Sequence, residues 1–378
     1  MNKNNKKTFK YDVLIGDKDL CDRAKEIKDL TDRALKGKRT VLFAPRRYGK
    51  TSLVKNAVGG RFKKAASDNI LIYIDLMDVK SFQSIAERLQ YGVSKALSEH
   101  FPVKTLLKNI AGLIKNLSIS IDIDPATGQP SINFSIKDFE TQKGTRQFME
   151  AIKNLSEKYD LMLVLDEFHD IAFVEEAEAV FRGFLQELDK AAVFILGSKK
   201  HLLKLMFASA NAPLFNFGDE MHLSTISVDD WLPYFRDRMS HVDIQIEKAE
   251  LMWITEQMCN VPNAICEIGS WLVENCPDTE LSIQIIKEQL DLMVDSKQGY
   301  HYLLQGYTEN EKNVLRKIAI NKFVLEPQST SFLGSLNVSK SSVGKIFAKL
   351  MDMGTIEYEE EKGYRISDPI LGHYLATH

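Results

Sequence analysis

Short apolar runs alternate with amphipathic segments along the first 226 residues of the chain. The runs have the length and the β-branched content of buried strands, while the segments between them carry apolar residues at helical spacing. The predicted strands cover residues 40–43, 70–76, 160–167, 191–198 and 220–226. Buried strands that alternate with helices are typical of a parallel sheet with helices on its faces. The pattern therefore predicts an α/β domain over residues 1–226.

One stretch of this domain changes its period. Residues 118–124 and 131–136 alternate polar and apolar side chains, and the link between them is rich in proline and glycine. A period of two on both sides of such a link predicts a β-hairpin at 118–136. We expect an insertion that packs one face on the core, and contact with a partner protein is its alternative role.

The pattern becomes helical from residue 227 onward. Four helical segments fill residues 227–300, and the stretch 296–307 has the composition of a linker. Three further helical segments follow, and two short strands then flank an acidic turn that contains a glycine. Helix, helix, helix and hairpin is the layout of a winged helix-turn-helix, which the pattern predicts for residues 306–378.

Composition and charge fit a globular chain of two or three domains. The 378 residues carry a net charge of −3, so no global attraction to nucleic acid or to a membrane is expected. No apolar run approaches the ~18 residues that a membrane helix needs, and the start lacks a signal-peptide pattern. The four cysteines form no C-x-x-C pair, which favours reduced thiols. We expect a cytoplasmic protein that does not bind a membrane.

Candidate chemistry begins directly after the first strand, where a loop ends in Gly-Lys-Thr and a helix start follows. Strand, loop and Gly-Lys-Thr at a helix N-terminus is the order of a phosphate-binding loop. Its backbone N–H groups and the helix dipole hold phosphate oxygens. The predicted nucleotide-binding residues are Ala44, Pro45, Arg46, Arg47, Tyr48, Gly49, Lys50, Thr51 and Ser52.

Two of these residues have specific expected roles with ATP. Lys50 would reach the β- and γ-phosphates, and the Thr51 hydroxyl would bind Mg²⁺. Ala44 replaces the usual first glycine of the motif, and alanine adopts positive φ less freely. A chance Gly-Lys-Thr on a surface turn is the alternative, which the flanking strand and helix disfavour.

A second motif supports the first. The apolar strand that begins at Asp160 ends in two acids, Asp166 and Glu167. In P-loop ATPases the first acid holds Mg²⁺, usually through water, and the second polarises the attacking water. The sequence therefore predicts Asp166 as a metal residue and Glu167 as a catalytic residue. The intact pair argues against a protein that binds nucleotide and barely turns it over.

These motifs together resemble the archaeal-type ATPase family, which is related to the STAND branch of AAA+ proteins. The resemblance is carried by an acidic-Arg-x-x-Glu helix start, by residues 45–53, and by the C-terminal Tyr-Arg-Ile-Ser-Asp-Pro at 364–369. It implies a P-loop core, a helical lid over 227–300 and a C-terminal winged helix. It also implies that Arg23 and Glu26 lie near the nucleotide base, with a surface helix bearing a charge pair as the alternative.

Two further site residues follow from the resemblance. Gly197-Ser198 ends the strand at the sensor position, so Ser198 would report the γ-phosphate, while a helix cap for 199–207 is the alternative. Pro262 matches the proline of a Gly-x-Pro motif near the base, although Asn260 replaces the glycine. His169, after the two acids, would sense phosphate or a partner, or would be structural.

An arginine that stabilises the transition state is not identified by the sequence. The candidates are Arg182, Arg236 and Arg238, and also Arg46 and Arg47 in the loop, which would alternatively be solvated or meet a neighbouring subunit. The loop before the fifth strand carries no arginine where the family often has one. These features leave room for a homo-oligomer that assembles with ATP.

The partner of the winged helix also stays open. Lys340, Lys345 and Lys349 on the recognition-helix candidate suit DNA contacts. However, residues 306–378 hold nine Lys/Arg and nine Asp/Glu, and the wing turn at 359–361 is acidic. Binding that depends on counterion release needs several net basic contacts. Two functions therefore remain, an ATP-driven switch for a protein partner in signalling or defence, and a nucleotide-regulated DNA-binding protein.

Overall fold

The chain separates into two compact units. The computed structural model describes residues 8–101, 118–123, 130–135, 141–207, 212, 214–334, 336 and 338–378. One unit is Leu14–Ser224, and the other joins Met1–Val13 to Thr225–His378. The boundary near residue 225 lies close to the predicted end of the α/β domain, but the first residues group with the helical unit. The predicted split of that unit into a lid and a winged helix stays a prediction.

A five-stranded parallel sheet forms the centre of the first unit. Its strands are β1 Arg39–Phe43, β2 Ile70–Asp75, β5 Leu161–Asp166, β6 Ala192–Gly197 and β7 Asp219–His222. Their order across the sheet is β2-β5-β6-β1-β7. All of the pairings are parallel, so the carboxyl ends of the strands share one edge. Because β6 lies between β1 and β5, its end adjoins both the predicted phosphate loop and the two acids.

Helices cover this sheet and bury an apolar core. They are α1 Ala24–Leu35, a π-helical stretch Ser52–Val58 that continues into α2 Gly59–Ala65, α3 Phe82–His100, α4 Gln142–Lys158, α5 Ala177–Glu187 and α6 Lys200–Phe207. A short 3₁₀ segment, Phe168–Phe173, follows β5. All residues of β5 and β6 are buried, as expected for central strands of a parallel sheet.

The period-two stretch forms an antiparallel pair. β3 Ser118–Ile123 pairs with β4 Pro130–Ser135, from Ser118 opposite Ser135 to Ile123 opposite Pro130. The strand β4 lies against α3. The link at 124–129 and the residues 102–117 that precede the pair lie outside the described residues.

The second unit begins with four helices. They are α7 Val228–Met239, α8 Lys248–Gln257, α9 Pro262–Asn275 and α10 Ile283–Ser296, with a 3₁₀ turn at Ser240–Val242. The buried Phe9 ring lies 4.7 Å from Phe235 between ring centroids. An added Cβ on Gly269 would lie 2.8 Å from the same ring, so only glycine allows this approach. Phe9 therefore ties the start of the chain to this unit.

The remaining elements contain the predicted order of three helices and a hairpin, with one more helix before it and one after it. They are α11 Gln298–Gln305, α12 Glu309–Asn321, α13 Thr330–Leu333, α14 Lys340–Asp352, β8 Ile356–Glu359, β9 Gly363–Ile366 and α15 Pro369–Thr377. The stretch predicted as a linker at 296–307 is instead largely helical. Its Leu304 and Tyr307 are buried in the core that α12 and α14 share, and this packing outweighs its two glycines. The terminal helix α15 was not predicted.

Candidate functional site

The loop after β1 needs positive φ at two positions, and Ala44 is neither of them. Arg47 has φ 64° and Gly49 has φ 77°, while Ala44 is absent from the residues with positive φ. Alanine therefore replaces glycine here without backbone strain. A Cβ built on Gly49 would meet nothing within 4 Å, so the left-handed backbone, and not space, calls for glycine there. The same opening leaves room over the loop.

The helix that follows the loop holds the segment before α1. Ser52 Oγ accepts a hydrogen bond from the Ile15 N–H at 3.1 Å. Asn56 Nδ2 donates to the Ile15 carbonyl at 2.9 Å. The Ser52 hydroxyl therefore binds the backbone of Ile15, and so does Asn56, a residue that no sequence motif singles out. The predicted contact of Ser52 with nucleotide stays a prediction.

A buried ion pair joins the loop to β5. Lys50 Nζ lies 2.6 Å from Glu167 Oε1, and the Lys50 residue is 6% exposed. Ser198 Oγ donates to Glu167 Oε2 at 2.9 Å, and the Ser198 N–H lies 3.3 Å from the same oxygen. Burial, the largest single influence, opposes ionisation of Glu167, but the charge of Lys50 together with the hydrogen bonds from Lys50 and Ser198 outweighs it and lowers the pKa of the carboxyl. The structure thus brings together all three predicted catalytic residues.

The first acid has a separate set of partners. Thr51 Oγ1 donates to Asp166 Oδ2 at 2.6 Å, and the Tyr73 hydroxyl donates to the same oxygen at 3.0 Å. Asp166 Oδ1 accepts the N–H of Glu167 at 2.9 Å. The two predicted metal residues are therefore adjacent. Sequence reasoning missed Tyr73, although strand alternation places it on the same face of β2 as the terminal Asp75.

A buried histidine lies behind the catalytic acid. His169 Nδ1 is 3.4 Å from Glu167 Oε2, and its Nε2 is 3.2 Å from Asp170 Oδ1. Burial lowers the pKa of His169 to about 4, against the attraction of these two carboxylates. The other oxygen of Asp170 accepts the Asp78 N–H at 2.8 Å. His169 is therefore neutral near pH 7 and packs at the site, and Asp170 links it to the loop after β2.

The residues predicted near the base occupy two different units. Arg23 precedes α1 as its N-cap, is 4% exposed, and donates to Glu26 Oε1 at 2.8 Å and to the Ser224 carbonyl at 2.9 Å. The charge pair of Arg23 with Glu26 is therefore present, and Arg23 also holds the end of the first unit. Pro262 is the first residue of α9 in the second unit. Their contacts with a base stay predictions.

The arginine candidates differ in their surroundings. Arg46 and Arg47 are exposed on the loop, whereas Tyr48 beside them is buried. Arg182 is exposed on α5. Arg236 pairs with Glu247 at 2.8 Å, and the buried Arg238 stacks on Tyr234 with its guanidinium 3.4 Å from the ring centroid. Arg238 thus packs inside its own unit, while Arg46, Arg47 and Arg182 face solvent.

The lysines predicted to contact DNA are not equivalent. Lys340 and Lys345 are exposed on α14, but Lys349 Nζ donates to Glu311 Oε1 at 2.7 Å. The wing also pairs part of its acidic charge internally. The buried Arg365 contacts Glu357 and lies 3.4 Å from Glu359, which also pairs with Lys362 at 2.7 Å.

The donor groups fit Mg²⁺ and ATP. Thr51 and Asp166 supply hydroxyl and carboxylate oxygens at one point, which is the chemistry that Mg²⁺ prefers, and Mg²⁺ usually takes one or two carboxylates together with substrate phosphates. Lys50 supplies a cation beside an open loop at a helix N-terminus, which suits phosphate. Within the described parts of the chain, no helix has the length and apolarity to span a membrane.

Comparisons with known proteins agree with this architecture. A family model described as a probable winged helix domain matches residues 298–377. The Walker-type ATPase of Pyrococcus abyssi has a similar structure, with a TM-score of 0.60 and 17% identity over 95% of this chain and 97% of that one. Comparison with curated proteins gives no match.

Two structures of Aeropyrum pernix proteins are also similar. The ORC2 protein, solved in ADPNP and ADP complexes, has a TM-score of 0.50 and 14% identity over 95% of this chain and 93% of that one. The ORC1 protein, solved in complex with DNA, has a TM-score of 0.50 and 11% identity over the same shares. These similarities and the matched C-terminal domain confirm the fold predicted from the sequence. The chain has the fold of the archaeal Walker-type ATPases, with a P-loop core built on a parallel sheet, and its residues 298–377 match a winged helix domain.

Proposed function

We propose that the protein binds ATP with Mg²⁺ at the loop 44–52, hydrolyses it to ADP and phosphate, and uses the nucleotide state to act on a protein partner. One observation carries the proposal. Lys50, Thr51, Asp166 and Glu167 converge at one edge of the sheet through two hydrogen bonds of 2.6 Å. A phosphate-binding lysine, a metal-binding pair and a catalytic acid are the parts that phosphoryl transfer to water needs.

The residues around Glu167 indicate how the site would act on substrate. Glu167 Oε2 is held by Ser198, while Oε1 is occupied by Lys50. When Lys50 binds a phosphate oxygen of ATP instead, Oε1 becomes available to accept a proton from water. Mg²⁺ held by Thr51 and Asp166 would neutralise charge on the phosphates. The Lys50–Glu167 pair therefore keeps both groups occupied until substrate separates them.

Nucleotide binding tests the first half of this proposal. Lys50→Ala removes the only charge of the Gly-Lys-Thr motif, and we expect ATP affinity to fall about 10- to 100-fold, as for the loss of about 1.5–3 kcal/mol from a hydrogen bond to a charged group. Titration of a fluorescent ATP analogue with Mg²⁺ measures this. Lys64→Ala, which removes an exposed lysine of α2, is the matched control. Equal affinity of wild type and Lys50→Ala would contradict the proposed site.

We propose regulated DNA binding as the second candidate function. It is supported by the winged helix domain, by exposed Lys340 and Lys345, and by the similar ORC1 protein solved with DNA. The balanced charge of residues 306–378 and the engagement of Lys349 by Glu311 favour the protein partner instead.

Salt dependence separates the two candidates. If the winged helix binds duplex DNA, the logarithm of affinity will fall steeply with the logarithm of salt, and Lys340→Ala or Lys345→Ala will each reduce the slope by about 1. A protein-directed switch will show weak DNA affinity that neither substitution changes. Self-assembly of the full chain with ATP, measured by light scattering, would support a role for Arg46, Arg47 or Arg182 between subunits.

A further inference from the structure

Asp166 uses most of its capacity to accept hydrogen bonds within the protein. An ionised carboxylate offers about four lone-pair sites. Three of them receive the Glu167 N–H, the Thr51 hydroxyl and the Tyr73 hydroxyl. About one site is left for a metal-bound water. Small rotations of this carboxylate would therefore either break these bonds or misdirect that site.

Tyr73 is the only one of these three donors that belongs to neither nucleotide motif. It lies on β2, two residues before Asp75, which pairs in register with Asp166 on β5. The ring is half-buried, and its hydroxyl donates to Asp166 Oδ2 at 3.0 Å. The Thr51 hydroxyl would have to turn a lone pair towards the metal while its single proton stays on Asp166. The Tyr73 hydroxyl donates to the same carboxylate without having to bind the metal.

The Tyr73 ring is itself held by the helix after the phosphate loop. Lys55 Nζ lies 3.7 Å from the ring centroid, a cation–π contact. Lys55 is four residues after Thr51, in the π-helical stretch Ser52–Val58. The contact therefore links the helix after the phosphate loop to Tyr73, whose hydroxyl in turn donates to Asp166. Neither Tyr73 nor Lys55 belongs to the Gly-Lys-Thr or Asp-Glu motif.

We propose that Tyr73 is a positioning residue for the Mg²⁺-holding carboxylate of Asp166, and that Lys55 fixes the ring that carries its hydroxyl. This inference rests on the proposed function, because it concerns the same site. The hydroxyl of Tyr73 holds Asp166 Oδ2 in place while Thr51 and the remaining lone pair serve the metal. Its role is to set the affinity for Mg²⁺, and it does not contact the nucleotide.

The test measures Mg²⁺ affinity directly, without turnover. Mg²⁺ is titrated into the full-length protein with a bound fluorescent ADP analogue, and the half-saturating Mg²⁺ concentration is read. Removal of a second-sphere partner typically costs 10- to 100-fold in metal affinity. We expect about a tenfold increase in that concentration for Tyr73→Phe and a smaller increase for Lys55→Met. Affinity for the analogue without Mg²⁺ should be unchanged in Tyr73→Phe.

Tyr91→Phe is the matched control, because it removes the hydroxyl of a tyrosine on α3 that is 67% exposed. It should leave the half-saturating concentration as in wild type. A Tyr73→Phe protein with wild-type Mg²⁺ response would overturn the inference while leaving the proposed function intact. So would a loss of thermal stability and of Mg²⁺-free nucleotide affinity, since these indicate a merely structural role. A wild type that binds no nucleotide, or shows no Mg²⁺ response, would overturn the proposed function and this inference together.

Discussion

Ala44 shows how a motif departure can be neutral at the level of one residue. A loop of this type needs glycine only at a position where φ is positive. In this loop φ is positive at Arg47 and Gly49, so the first position of the motif, Ala44, does not need glycine. Ala44 is 5% exposed, and its N–H continues the strand pairing towards the Gly197 carbonyl at 3.5 Å. The departure therefore does not argue against a phosphate-binding loop.

The first prediction follows from that conformation. Ala44→Gly should lower the free energy of unfolding by about 0.4–1 kcal/mol, because glycine increases the conformational entropy of the unfolded chain. It should not raise ATP affinity. Urea denaturation and nucleotide titration measure the two quantities. Higher ATP affinity in Ala44→Gly would show that alanine strains the loop.

The second residue-scale prediction concerns His169. Its pKa is about 4 when folded, against an ordinary value of about 6.5 in the unfolded chain. Between these values the unfolded state binds the extra proton, so the stability contributed by a neutral His169 is present above pH 6.5 and is lost as the pH falls towards 4. We expect wild type to lose more stability over this range than His169→Gln, as measured by urea denaturation at several pH values. A pH-independent difference between the two proteins would contradict the buried neutral histidine.

The site residues that the sequence predicts belong to local motifs, whereas the residues that it misses reach the site through tertiary contacts. Lys50, Thr51, Asp166 and Glu167 stand at fixed offsets from strand ends, so the sequence locates them. Tyr73 becomes a site residue only because β2 pairs with β5, a neighbour relation that no local pattern encodes. Asp170 accepts the Asp78 N–H, after β2, for the same reason. The hydrogen bond that Ser52 accepts likewise comes from a residue distant in sequence, Ile15.

At the scale of elements, the site depends on how closely α3 approaches β2. An added Cβ on Gly92 of α3 would lie 2.7 Å from the Tyr73 carbonyl oxygen and 2.8 Å from Ile74 Cγ1. Backbone cannot yield as a flexible side chain does, so this contact sets the distance between the helix and the strand that carries Tyr73.

Substitution of Gly92 tests that contact. Gly92→Ala should lower the free energy of unfolding by about 1–3 kcal/mol, the usual cost of overpacking. Gly183→Ala is the matched control on α5, where an added Cβ meets nothing within 4 Å. The control should instead gain about 0.5–1 kcal/mol from its better helix propensity. Denaturant unfolding of both variants gives the comparison, and a stable Gly92→Ala would contradict the close approach.

Two helices of the C-terminal region are not predicted by the sequence pattern, each for its own physical reason. The helix α15 was missed because its apolar pattern is short, yet Asp368 and Pro369 are a readable helix start. Asp368 Oδ1 accepts the N–H groups of Ile370 and Leu371 at 3.0 and 3.3 Å. The stretch 296–307 is predicted as a linker because it contains two glycines. It is helical because its apolar side chains pack into the core.

At the scale of the whole molecule, the chain passes twice between its two compact units. It leaves the helical unit between Val13 and Leu14 and returns between Ser224 and Thr225. On one side of the first crossing, Asp12 and Asn263 exchange hydrogen bonds of 2.8 Å, and on the other the backbone of Ile15 is held by Ser52 and Asn56. Sequence periodicity does not assign residues 8–13 to the helical unit, because only tertiary packing, such as that of Phe9 on Phe235, determines it.

If Glu167 activates water for Mg²⁺-dependent ATP hydrolysis, as we propose, steady-state phosphate release will depend on its carboxylate. Wild type and Glu167→Gln are compared with Mg²⁺, each with and without duplex DNA. We expect slow turnover in wild type, loss of turnover in Glu167→Gln with ATP binding retained, and no effect of DNA when the partner is a protein. Equal rates in wild type and Glu167→Gln would contradict the mechanism.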